Sequence, residues 1–349
     1  EGCGRAFLRF DYSGHGQSSG QFEDGGIGDW FADALAALEA RVGGRLGACV
    51  LDTASGRMTG HRYGELFGMC STFKLALAGA VLHLADKGRL NPSAELRYTE
   101  ADMVPHAPVT GPNLAKGAMR IIELAEATQK TSDNVAANLL IRHMGGPAAV
   151  TALLRSWGDD VTRLDRYETE MNNVPPGEER DTTTPRAFAQ TMARLLTTDR
   201  ILSPASRALL IQWMVDTTTG GKRIRAGLPA SWGSGDKTGS ANSPNYNNKT
   251  NDVAIFWPPA RMPVIVTAYY ESDGKYLQTR DQDQAVLADL AGRRFYFFFI
   301  EIWPQEVYYI AGLLIMAGVG LFLVTSLFGR AWCGYACPQT VWTDLYIWV

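Results

Sequence analysis

The sequence predicts an α+β fold with a membrane-spanning tail, and three observations carry that prediction. Strand-like runs lie near both ends of a central stretch, residues 36–292, and enclose a long, mostly helical middle. That middle holds polar clusters at spacings that suit chemistry, beginning with Ser71 and Lys74, three apart and so on one helical face. From Arg294 onward the chain turns dense in aromatic and aliphatic residues, and residues 307–328 hold no charged side chain at all. A helix over them would span about 33 Å, enough for a bilayer core. Trp303, Tyr308, Tyr309 and Trp332 sit where aromatic belts form.

The elements follow in order. Residues 6–10 read as a short apolar strand running into a glycine-rich loop, and residues 30–38 begin a helix. Within the central stretch, residues 46–51, 253–257 and 264–270 are short apolar runs of strand length. Longer mixed runs over residues 73–84, 121–127, 135–143, 148–157, 185–196, 203–214 and 282–291 read as helices. The stretch Asp181-Thr182-Thr183-Thr184-Pro185 suits a capped start for the helix at 185. Arg166 and Asp181 are placed to close the intervening loop as a pair.

Composition narrows the function. An apolar fraction of 46% and a charged fraction of 20% are those of a folded chain. A net charge of −3 argues against nucleic acid as a partner. The five cysteines, Cys3, Cys49, Cys70, Cys333 and Cys337, are scattered and form no disulfide framework. Cys49, amid apolar neighbours, is expected in the core. The chain starts at Glu1 with no charged-then-apolar leader, and both ends look cut.

Chemistry concentrates at four places. Ser71 is the candidate nucleophile, and Lys74 can hold or take its proton. The first turn of a helix leaves backbone N–H groups free, so the Ser71 N–H can face an oxyanion, with the Ser240 N–H as its partner. Ser132 can relay a proton to a leaving nitrogen, and Asn134 offers an amide. Lys237 supplies positive charge for a substrate carboxylate, and Gly239 lets a substrate approach the strand that Thr238 and Ser240 belong to. Glu168, with Asn172 four residues on, can hold a water between carboxylate and amide, which an acyl-serine needs to turn over.

Together Ser71-Thr72-Phe73-Lys74, Ser132-Asp133-Asn134, Arg166-Tyr167-Glu168 and Lys237-Thr238-Gly239 stand in the order that marks class A serine β-lactamases, which residues 36–292 closely resemble. The resemblance implies an antiparallel sheet with flanking helices plus an all-helical subdomain. It implies a monomeric periplasmic enzyme that takes β-lactam antibiotics and needs no cofactor. It casts Ser71, Lys74, Ser132, Glu168 and Lys237 as catalytic, and Asn134, Asn172, Thr238, Gly239 and Ser240 as substrate-binding. Arg223 matches a position that assists Lys237 with the substrate carboxylate, with Arg280 as a second candidate, and His106 sits where the family carries a gate residue. Thr169 and Met171 replace the usual proline and leucine. Cys70 is similar to the cysteine of the carbapenem-hydrolysing branch, but the partner position is Ala241, so that disulfide is not expected. A penicillin-binding or sensor domain that acylates and stalls is the alternative, and Glu168 argues against it.

The flanks resemble other families. Gly16-Gln17-Ser18-Ser19-Gly20 fits G-x-S-x-G, yet no strand runs straight into it, so residues 1–35 read as an inert α/β-hydrolase-like fragment. Residues 293–349, with Cys333 and Cys337-Pro338, resemble a membrane accessory protein of cytochrome c oxidase assembly with an iron–sulfur site. The whole reads as a chimeric chain, with a membrane redox factor as a further alternative.

Overall fold

The computed structural model describes residues 27–292, 295–297, 300–302, 315, 316 and 319. Its chain divides into two units, Glu1–Gly292 and Arg293–Val349.

In the first unit, helix α1 (Ile27–Val42) leads into strand β1 (Arg45–Asp52), which turns back as β2 (Met58–His61). The chain then leaves the sheet through β3 (Phe67–Gly68) and a single tight turn into α2 (Phe73–Asp86). The helical middle holds β4 (Glu95–Arg97), β5 (Ala118–Arg120), α3 (Ile121–Lys130), α4 (Asn134–His143) and α5 (Pro147–Ser156). After a loop come β6 (Thr182–Thr183), α6 (Pro185–Leu196), α7 (Pro204–Val215) and the short α8 (Ile224–Gly227). The chain re-enters the sheet as β7 (Gly233–Ala241), β8 (Lys249–Trp257) and β9 (Val264–Glu271), and closes with α9 (Asp281–Ala291).

The sheet is antiparallel in the order β2-β1-β9-β8-β7, so the first strand pairs with the last and β7 forms an edge. Alternate residues of its strands fill two cores. Cys49, Val253, Ile255, Ile265 and Tyr269 face the helical middle. Leu46, Ala48, Ala254, Phe256, Val266 and Ala268 face the opposite side, where Leu35, Leu38, Ile224, Leu287 and Leu290 cover them. The α+β class, the antiparallel sheet and the helical middle are as expected.

Two expectations change. Helix α1 runs through position 35, so the boundary expected there falls inside an element whose Leu35 and Leu38 are core residues. Strand β7 was expected only around Thr238–Ser240, because its sequence Gly-Ser-Gly-Asp-Lys-Thr-Gly-Ser-Ala lacks the apolar alternation that would mark a nine-residue strand. Pairing along nine residues of β8 makes it one.

In the second unit, β10 (Phe295–Phe297) pairs antiparallel with β11 (Ile300–Ile302). Among the described residues no helix is long and apolar enough to cross a membrane. The span expected over 307–328 lies outside them apart from Ile315, Met316 and Val319, as do Gly16–Gly20, Cys333 and Cys337.

Candidate active site

Ser71 lies in the one-turn 3-10 segment Cys70–Thr72 that feeds α2. Cys70 before it holds a φ of 47°, a conformation that costs a non-glycine residue about 1 kcal/mol or more and that aims the turn. Lys74, one turn on, has no solvent exposure. Its Nζ donates to Ser71 Oγ at 3.0 Å and to the Ser132 carbonyl at 2.8 Å, lies 2.9 Å from Glu168 Oε1, and also bonds Asn134 Oδ1. Those oxygens offset the cost of burying an ammonium. Burial lowers the Lys74 pKa and the Glu168 carboxylate pulls it back up. Ser71 Oγ in turn donates to Glu168 Oε1 at 3.2 Å, so nucleophile, amine and carboxylate close a triangle.

The 132–134 turn joins α3 to α4, with Ser132 at a φ of 61°. Asp133 caps α4, accepting from Ala136 N–H at 2.9 Å, and its other oxygen takes the N–H groups of Val109 and Thr110. This carboxylate therefore pins the 105–110 loop to the turn. Asn134 Nδ2 donates to the Pro105 carbonyl at 2.8 Å, so both ends of its amide are engaged within the protein. Lys237, wholly buried on β7, donates to Ser132 Oγ at 3.0 Å and to the Thr238 carbonyl at 2.7 Å. Burial holds its pKa well below the usual lysine value, and the Lys74 charge lowers it further.

Glu168 sits in the loop that the Arg166–Asp181 pair closes at 2.5 Å. Asp181 also accepts from the N–H groups of Asp165 and Arg166. Asn138 grips Glu168 from α4: its Nδ2 donates to the Glu168 carbonyl at 2.8 Å, and its Oδ1 accepts from the Glu168 N–H at 2.9 Å. The Glu168–Thr169 peptide is cis. Asn172 Nδ2 donates to Glu168 Oε2 at 2.6 Å, while Asn172 Oδ1 is buried without a partner among the described residues.

Gly239 sits on the edge strand beside the nucleophile. A Cβ there would lie 2.8 Å from the Met69 carbonyl and 3.1 Å from Ser71 N. The protein's own turn thus requires the glycine, a reason beyond the substrate approach expected from the sequence. Thr238 shares a 2.7 Å hydroxyl contact with Thr219. Arg223 donates to the Gly239 carbonyl at 2.9 Å and to Ser240 Oγ at 2.6 Å.

Residues 30–296 match the beta-lactamase enzyme family. The beta-lactamase of Streptomyces albus G is 43% identical over 80% of this chain and 86% of its own length. Beta-lactamase CTX-M-8 of Citrobacter amalonaticus is 42% identical over 73% of this chain and 86% of its own. Among solved structures, an ancestral (GNCA) class A beta-lactamase superposes with a TM-score of 0.70 at 49% identity, over 75% of this chain and 97% of that one. A beta lactamase from Xanthomonas campestris gives 0.72 at 44%, over 76% and 96%. The chain belongs to the class A β-lactamases. Its activity is β-lactam hydrolysis through an acyl-serine intermediate, in a family that works without a cofactor.

Within this β-lactamase, Arg280 pairs with Asp283 at 2.7 Å and stacks on Tyr276 at 3.6 Å. His106 is exposed at the rim, its Nε2 3.0 Å from the Thr131 carbonyl. Cys70 is a free, buried thiol, and burial pushes its pKa up to about 12. Cys49 is likewise free and in the core. Asn138 and the capping role of Asp133 escaped the sequence reading. Asn138 stands one turn after Asn134, a second amide in the otherwise apolar run 134–141, and that spacing was the available signal.

Residues 310–349 match a 4Fe-4S binding domain. That stretch carries two cysteines, Cys333 and Cys337, whereas such a cluster takes four thiolates. The residues present do not supply a complete set.

Proposed function

We propose that Ser71 attacks the lactam carbonyl and that its proton leaves through the Lys74–Glu168 pair. Support comes from one observation above the rest, the closed triangle of Ser71 Oγ, Lys74 Nζ and Glu168 Oε1, with sides of 3.0, 2.9 and 3.2 Å. With Lys74 as ammonium, Glu168 accepts the proton; with Glu168 removed, Lys74, whose ammonium burial disfavours, takes it as a free amine. The tetrahedral oxyanion is held by the N–H groups of Ser71 and Ser240. Ser132, held by Lys237, gives its proton to the lactam nitrogen as the C–N bond breaks and regains one from Lys74, which recovers the Ser71 proton from Glu168 and so restores the carboxylate. Lys237, Thr238 and Ser240, with Arg223 behind, hold the substrate carboxylate. Asn134 positions Lys74 and the substrate's side-chain amide, and His106 borders the entrance.

Deacylation uses a water between Glu168 and Asn172. The buried, unpartnered Asn172 Oδ1 supports this role, since it is an acceptor in want of a donor beside the base. Glu168 takes the water's proton as its oxygen attacks the ester carbonyl; the C–Oγ bond then breaks and the proton passes back to Ser71 Oγ, which regenerates the enzyme. The Ser71→Ala and Glu168→Ala variants test the scheme by mass spectrometry after exposure to a β-lactam. No covalent adduct is expected in the first and a persistent one in the second. Normal turnover by the Glu168 variant would refute the water-activation role.

The family acts outside the cytoplasmic membrane, and the same compartment is proposed here. Residues 1–26, with the hydrolase-like loop, and residues 293–349, with the iron–sulfur resemblance and the apolar 307–328 span, are read as fused segments with no part in the reaction.

A further inference from the structure

Behind β7 lies a buried carboxyl group, that of Asp252, which the reaction scheme leaves unused. Asp252 stands on β8 opposite Thr238 and has no solvent exposure. Its Oδ2 accepts from the Ile224 N–H at 3.1 Å, and its Oδ1 has no partner among the described residues. Ile224 opens α8 and is itself buried, so its N–H has no water to turn to. Arg223 is the residue immediately before. Its guanidinium crosses back to the Gly239 carbonyl, the Asn251 carbonyl at 2.6 Å and Ser240 Oγ.

We propose that Asp252 is a positioning residue for the substrate-carboxylate subsite: by accepting from Ile224 N–H it fixes the 223–224 corner and thereby holds Arg223 against Gly239 and Ser240. The proposal rests on the reading of Arg223 given above. Burial pushes the Asp252 carboxyl well above the usual carboxylate range, and the neighbouring Asp236 adds to the effect. Asp252 meets a neutral backbone N–H through a single oxygen, a bond that an amide oxygen can also accept.

The test compares Arg223→Ala, Asp252→Ala, Asp252→Asn and the Arg223→Ala/Asp252→Ala double variant in the full chain. A chromogenic cephalosporin bearing a carboxylate is the substrate, and a melting curve accompanies each variant. Arg223→Ala and Asp252→Ala should each raise KM roughly tenfold with kcat little changed, the signature of lost uniform binding. The double variant should be no worse than Arg223→Ala, because Asp252 acts through it. Asp252→Asn keeps an acceptor oxygen and should leave KM near its original value. An unchanged KM in Arg223→Ala overturns the carboxylate reading itself. A raised KM there, with an unchanged KM in Asp252→Ala or full additivity in the double variant, overturns the positioning role alone. Should Asp252→Ala fail to fold, Asp252→Asn decides: a KM raised as far as in Arg223→Ala refutes the acceptor role.

Discussion

At the scale of single residues, the site is a set of buried polar groups whose partners are each other. That makes it sensitive to deletions that leave a partner stranded. Glu168→Ala should slow deacylation by about a hundred- to ten-thousandfold, the range for a lost general base, measured by single-turnover kinetics. Asn138→Ala strands both the N–H and the carbonyl of Glu168, at about 1–3 kcal/mol for each group, so the melting temperature should fall and deacylation should slow more than acylation. Lys237 carries a pH signature. Its ammonium is disfavoured in the folded chain, so the unfolded chain binds that proton more tightly. The stability contribution of this group therefore rises with pH, from its lowered native value up to the ordinary 10.5. Urea midpoints across that alkaline window should climb less steeply in Lys237→Met. The residues that the fold gathers around Ser71 were legible because their types and spacings are chemically unusual. Asn138 was not, because a helical asparagine looks the same whether it grips a loop or faces water.

At the scale of elements, the helices and the apolar strands were legible because periodicity and burial agree in them. Of the strand that matters most to the site, only the stretch around Gly239 was. β7 is built of small and polar residues because each has a close neighbour: Gly235 lies against Met214 and Gly239 against the Met69–Thr72 turn. Its identity as a strand comes from β8, a partner distant from any local pattern. Gly239→Ala should push the strand off the nucleophile turn, and a shift near 1 Å is enough to lower kcat/KM about a hundredfold. Steady-state kinetics on a chromogenic cephalosporin would check this, and unchanged kcat/KM would show that the turn yields instead. The Arg166–Asp181 closure was legible because two opposite charges flank a loop with few other anchors.

At the scale of the whole molecule, the break in sequence resemblance near residue 35 does not mark a break in structure. Deleting residues 1–42 removes Leu35 and Leu38 from the core, each worth about 1.5–3 kcal/mol of burial, and should abolish cooperative melting. Deleting 293–349, a separate unit, should leave hydrolysis unchanged. The pairing of β1 with β9 has a consequence in time. Arg45 meets Glu271 across 226 residues of chain. At ribosomal speeds of roughly 5–20 residues per second, β1 waits about ten to forty-five seconds for its central neighbour to be synthesised. Until β9 appears, the nascent chain has only separate two-stranded ribbons, β1 with β2 and later β7 with β8, where its sheet will be. A chain that cannot finish folding until nearly all of the catalytic unit exists remains threadable while it is being made, the condition that passage through a narrow protein-conducting channel requires.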